Sequence, residues 1–170
     1  VTLETNQGYI YSKTATIEYG AQFKLNTPTL EGYAFSGWYL DEDFNQKMTD
    51  GYGYSVLAWD KYVKEGVTLY AKYDKMYKLT MSSSIVLDNA YTFSYSKANV
   101  ISGGEDYAYY IAGDEVQVKI TASGKYLFEG LYSGKDKVST DNGVYSFTMP
   151  EHDVTLKVAF TVKTFMVILD

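Results

Sequence analysis

The chain has 170 residues, 46% of them hydrophobic and 17% aromatic, with 19 Tyr, 8 Phe and 2 Trp. That length allows one ordinary domain or two small ones, and that composition excludes wholesale disorder. The absence of cysteine excludes disulfides, cysteine-ligated zinc, iron–sulfur clusters and thiol nucleophiles, and a single histidine excludes a multi-histidine metal site; a net charge of −6 with lysine as the sole basic residue type weighs against nucleic acid.

Val1 is not followed by a charged and then apolar leader, so no signal peptide is expected, and no run approaches the roughly 18 apolar residues of a membrane span. A chain that starts with Val and ends on "FMVILD" is expected to be a piece cut from a longer protein. The first turn signal is Thr5 to Gly8, and Ala15, Ile17 and Tyr19 then alternate at the period of a strand. Glu31 to Asp41 reads "EGYAFSGWYLD", with a short helical or 3₁₀ turn expected after Trp38 or around Ser55 to Tyr62. Gly51-Tyr52-Gly53-Tyr54 reads as a turn, and Val67, Leu69, Ala71 and Tyr73 as the inward face of a strand. Beyond the joint near Asp74 to Met76 come the turn "SGGED" at Ser102 to Asp106 and the "YAYY" run at Tyr107 to Tyr110. A strand with Val116, Val118 and Ile120 on one face follows, then the turn at Thr140 to Gly143. Val154, Leu156, Val158 and Phe160 mark the last regular strand. The tail, residues 161–170, reads either as the last strand of the second module or, as the spacing favours, as the first strand of a truncated next repeat, with Phe165 to Leu169 then free to pair with another molecule.

Laying Tyr19–Tyr39 on Ala112–Tyr132 places Gly20 on Gly113, Phe23 on Val116 and Leu25 on Val118. Without a gap, Tyr33 then falls on Tyr126, Phe35 on Phe128, Gly37 on Gly130 and Tyr39 on Tyr132. Each stretch is closed by an alternating strand, "VTLYAKY" at Val67 to Tyr73 and "VTLKVAF" at Val154 to Phe160. Two related modules are therefore expected, over residues 1–74 and 75–160. Modules this small bury little apolar area, so the large aromatics must do much of the packing.

The combination of Gly20, Gly32, Tyr33, Phe35, Gly37 and Trp38 with Thr68, Leu69, Tyr70 and Ala71 resembles the internalin-B-type, or Listeria–Bacteroides, repeat over Val1 to Tyr73. Tyr73 stands where the family usually has Trp. Residues from about Met76 to Phe160, with Gly113, Tyr126, Phe128, Gly130 and Leu156, are similar to divergent relatives of that repeat, Leu131 replacing the usual Trp. The resemblance implies a mainly β fold, with α+β left open: two tandem small β-grasp-like modules with at most one short helix each. It also implies a place in tandem arrays of secreted and wall-attached bacterial surface proteins, and brings no catalytic residues.

Gly32 and Gly37 are read as bracketing a tight backbone passage. Phe35 and Trp38, three apart, would face the same way in a helical turn and opposite sides of a regular strand, and both are expected in the core rather than as a sugar platform. Candidate ligand-binding rings are Tyr52 and Tyr54 and, in the second module, Tyr107, Tyr109 and Tyr110. Asp41, Asp43 and Asn45 imitate a calcium loop, but the glycine and glutamate such a loop requires are replaced by Gln46 and Tyr52, which favours a polar turn. His152 in "PEHDV" reads as a solvated turn residue.

No cofactor, metal or catalytic group is expected. The favoured function is a structural spacer and protein-interaction repeat, ahead of a glycan- or peptide-binding module using tyrosine-rich loops, and far ahead of a carboxylate hydrolase. The partners expected are a host or cell-wall protein or glycan, with no nucleic acid and no membrane insertion. The isolated piece is expected to be a monomer apart from tail-mediated contact.

Overall fold

Apolar side chains at every second position from Val67 to Ala71 lead into the longest strand among the described residues. The computed structural model describes residues 1–60, 66–83, 91–96, 107–122, 124–142 and 144–164, of which Tyr91 and Tyr95 are described in backbone only. Every regular element among them is a strand, so the fold is mainly β. The helical turn expected after Trp38 does not form, because Trp38 and Tyr39 finish a strand. Ser55 to Asp60 is bridged and irregular backbone, and the remainder of that expectation, like the turn at Ser102 to Asp106 and the strand at Phe165 to Leu169, lies outside the described residues. The chain divides into two units, Val1–Lys75 and Met76–Asp170.

The first unit contains β1 (Thr2–Glu4), β2 (Tyr33–Tyr39) and the first half of β3 (Thr68–Ser83). β3 lies between β1, parallel with Thr2 opposite Thr68, and β2, antiparallel with Tyr39 opposite Tyr70. Short paired segments complete the unit: Tyr9 exchanges two backbone hydrogen bonds with Thr29, and Phe23 to Leu25 pairs with Gly53 to Ser55. Leu3, Ile10, Leu25, Trp38, Met48, Trp59, Leu69 and Ala71 form its core, with Phe35 and Tyr73 packed against them. Burying a large apolar side chain contributes about 1.5–3 kcal/mol, so in so small a unit the two tryptophans weigh heavily.

The second unit uses the rest of β3 with β4 (Tyr91–Tyr95), β5 (Tyr107–Ile111), β6 (Glu115–Ala122), β7 (Tyr126–Ser133), β8 (Asp136–Val138), β9 (Val144–Thr148) and β10 (Val154–Val162). β10 is parallel to β3 on one side and antiparallel to β7 on the other, with β8 beyond β7 and β5 on the far side of β3. β4, β6 and β9 form a second, three-stranded antiparallel sheet. Val116, Val118 and Ile120 of β6 and Leu156, Val158 and Phe160 of β10 are all buried, as their alternation requires.

The two units repeat each other down to backbone irregularities. In β2 the register shifts between Phe35 and Gly37, so Ser36 is an extra residue against β3. In β7 it shifts between Phe128 and Gly130, making Glu129 the extra residue against β10. The bulge reconciles the expectation that Phe35 and Trp38 both lie in the core with a strand, in which residues three apart would otherwise face opposite ways. One inserted residue returns both rings to the same side, 5.4 Å apart and edge-on, with Trp38 fully buried. Across each ladder the same aromatic pair recurs: Phe35 with Tyr73 at 6.0 Å and 66°, and Phe128 with Phe160 at 6.3 Å and 67°.

Candidate functional site

The motif glycines are placed by close approach and by turns. A Cβ on Gly37, whose φ is +149°, would run into the Thr49 carbonyl oxygen. On Gly130 it would meet only the flexible end of Lys137. Gly20 and Gly113, at φ of +79° and +88°, occupy the third position of matched turns closed by Ala21 N–H to Glu18 and Asp114 N–H to Ile111. Both glycine amides then donate across to a core residue, Gly20 to Trp59 and Gly113 to Met149. Those residues return the bond, Trp59 to Ala21 and Met149 to Asp114. Gly32 closes a turn from Leu30 to Tyr33 at φ +78°, and Tyr33 lies partly exposed while its counterpart Tyr126 is buried. Trp38, Leu69, Leu131 and Leu156 are essentially without exposure, and Phe128 is half-buried.

The buried indole of Trp38 donates from Nε1 to the Asn26 carbonyl, and its backbone amide donates to the buried Thr49 hydroxyl at 3.0 Å. Thr49 in turn donates to the Asp50 carbonyl, so both polar groups are satisfied. Asp50 also organises the next loop: its Oδ1 accepts from the amides of Tyr52 and Tyr54, each at 2.9 Å. The loop glycines serve this packing, because a Cβ on Gly53 would strike the Leu25 carbonyl oxygen and one on Gly51 would lie 2.8 Å from that of Phe35. The rings of Tyr52 and Tyr54 point outward, 78% and 53% exposed, and the Lys24 ammonium lies 4.3 Å from the centre of the Tyr54 ring.

The tyrosines of β5 divide by face. Tyr107 and Tyr109 are half-buried and edge-on at 5.9 Å, with the Lys78 ammonium 4.2 Å from the Tyr107 ring centre. Tyr110 is removed from the candidate ligand-binding set: its ring is fully buried and its hydroxyl donates to the Ser96 carbonyl at 2.8 Å. Burial raises its phenol to about 12. Rings not proposed as ligand contacts are also exposed, notably Tyr9, Tyr11 and Tyr19, the last in a turn and not in the strand expected with Ala15 and Ile17, because Tyr19 leads into the Gly20 turn. The alternation Tyr9-Ile10-Tyr11, with Ile10 in the core, was the signal for the first two.

The Asp41 carboxylate accepts from the amides of Asn45 and Gln46 and from the Asn45 side chain, which holds its pKa below the usual carboxylate range. These bonds come from the turn itself, so the run from Asp41 to Asn45 is a self-satisfied polar turn. His152 is exposed, with Nδ1 3.0 Å from the Asp153 carbonyl oxygen. The neighbouring Asp153 carboxylate accepts from the Lys78 amide. A surface depression of about 580 Å³ is lined by Glu4, Asn6, Glu42, Thr68 and Tyr70. Another, of about 510 Å³, is lined by Leu127, Thr161, Val162, Lys163 and Thr164.

Twice-used strand topology, matched bulges and matched glycine turns define a tandem of small β repeat domains. Residues 1–72 match the family model of the Listeria-Bacteroides repeat domain, and residues 91–164 match that of the divergent InlB B-repeat domain. The chain is thus a Listeria–Bacteroides repeat followed by a divergent repeat of the internalin-B type. No curated protein and no solved structure matched it. Repeats of this type typically occur in surface proteins and are generally non-catalytic. Among the described residues no helix is long and apolar enough to cross a membrane.

Proposed function

We propose that the chain is a pair of non-catalytic spacer and interaction repeats from a secreted or wall-attached bacterial surface protein. One observation carries this reading: most positions shared by the two units are used up by the fold. Phe35 and Phe128 line the bulges, Trp38 and Leu131 fill the cores, and Gly20 and Gly113 make the turns. Among the described residues, the strongly exposed tyrosines Tyr9, Tyr11, Tyr19, Tyr52 and Tyr54, by contrast, all belong to the first unit. A repeat whose common residues build its interior is suited to holding other parts of a protein at a distance. Any contact with a host or cell-wall protein or glycan is then made by surface residues that differ from repeat to repeat.

Two exposed rings on a loop fixed by Asp50 favour a second reading, glycan or peptide binding at Tyr52 and Tyr54. A glycan and peptidoglycan binding screen of the 170-residue chain, beside Tyr52→Ala/Tyr54→Ala, decides between the two. The spacer reading expects no saturable binding by either protein. Specific binding abolished in the double variant would replace it with a receptor site on that loop.

A further inference from the structure

Among the described residues, the first and last strands of each unit lie side by side and run in the same direction. β1 is parallel to the start of β3 over three register pairs, Thr2–Thr68, Leu3–Leu69 and Glu4–Tyr70. In the second unit the later part of β3 is the leading strand and β10 the closing one, parallel over five pairs from Leu79–Val154 to Ser83–Val158. A unit stretched through its chain neighbours is pulled at the start of its leading strand and at the end of its closing strand. For parallel neighbours those two points lie at opposite ends of the ladder. The force therefore runs along the strands, and all the bonds between them carry it together.

In the first unit, side chains extend this ladder past β1. The Asn6 amide donates to the Ala71 carbonyl at 2.8 Å, and the Tyr73 hydroxyl donates to the Thr5 carbonyl at 2.7 Å. Gly8 leaves room for that phenol, since a Cβ there would collide with the Tyr73 hydroxyl oxygen. We infer that the repeats are load-bearing: each closes on a parallel shear clamp, reinforced in the first unit by Tyr73. The clamp follows from strand register alone, while its use in a surface tether rests on the spacer reading above.

The test is single-molecule stretching of the full chain, which has no cysteine of its own and so accepts handles at chosen sites. Handles at Thr2→Cys and Lys75→Cys load the first unit in shear. Handles at Thr2→Cys and Thr68→Cys, at the same end of the ladder, peel β1 away one bond at a time. At one pulling speed the rupture force is expected to be severalfold higher in shear, because forced unfolding follows the barrier of the path imposed. Tyr73→Phe is expected to lower the shear force and leave the peeling force unchanged. Equal forces in the two geometries would overturn the clamp while leaving the spacer reading intact. A Tyr73→Phe loss equal in both geometries would remove the hydroxyl from the clamp and reduce it to a general stabiliser. Glycan binding at Tyr52 and Tyr54 would overturn the spacer reading and leave the clamp standing.

Discussion

Two glycines that look equivalent in sequence have different reasons to be there. Gly37 sits at φ +149° with the Thr49 carbonyl oxygen in the space a side chain would take, and a backbone oxygen cannot swing aside. Gly130 faces only the end of Lys137, which can. Gly37→Ala is expected to destabilise by about 1–3 kcal/mol, whereas Gly130→Ala stays within about 1 kcal/mol. Urea unfolding followed by tryptophan fluorescence for the first, and by circular dichroism for both, measures the contrast. Tyr73 supplies a pH signature at the same scale. Burial raises its phenol from 10.0 to about 12, so the folded state favours the neutral, donating form. The stabilisation is complete below pH 10, the unfolded value, and is lost as pH rises through about 12. Thermal melts monitored by tryptophan should lose midpoint above pH 10, and Tyr73→Phe, less stable at pH 8, should show a shallower alkaline decline.

At the scale of elements, one extra residue decides what the recognition motif does. Side chains alternate along a strand, so inserting Ser36 returns Trp38 to the face that Phe35 already occupies. Deleting Ser36 should turn either Phe35 or Trp38 out of the core. Expelling a fully buried tryptophan costs about 3–5 kcal/mol, a large part of the stability of a small unit. Both tryptophans, Trp38 and Trp59, lie in the first unit and are buried, so their emission reports on it directly. The deletion variant is expected to show red-shifted emission in the absence of denaturant; native emission and an unchanged urea midpoint would mean that the bulge is dispensable. The same device at Glu129 shows that the bulge belongs to the repeat and not to one sequence context.

Across the whole molecule, the alternation of β3, β6 and β10, the match of Gly20 with Gly113 and of Phe35 with Phe128, and the repeat family were legible in the chain, whereas the alternation of Ala15, Ile17 and Tyr19 forms no strand and leaves Tyr19 exposed in a turn. Period-two alternation and turn glycines are local signals, and repetition doubles them. That Phe35 and Trp38 both belong to the core was legible, but the way one strand turns them to the same face was not, because a bulge adds a residue without changing the residue types around it. Tyr110 was misread for a related reason. Four consecutive residues, Tyr107-Ala108-Tyr109-Tyr110, carry three similar rings, and only the pairing of β5 with β3 shows which side turns inward.

The amino-acid sequence by itself determined that the molecule is β-rich, is built from two related modules and relies on aromatic packing, because each of these is written in local pattern and composition. Tertiary structure alone decided that Gly37 must yield to a distant carbonyl, that Tyr73 reaches back to Thr5, and that the leading and closing strands of each module lie parallel. The first depends on a carbonyl brought back across the loop that follows β2, and the other two on groups brought together from opposite ends of a module, and contacts across such separations leave no local pattern to read.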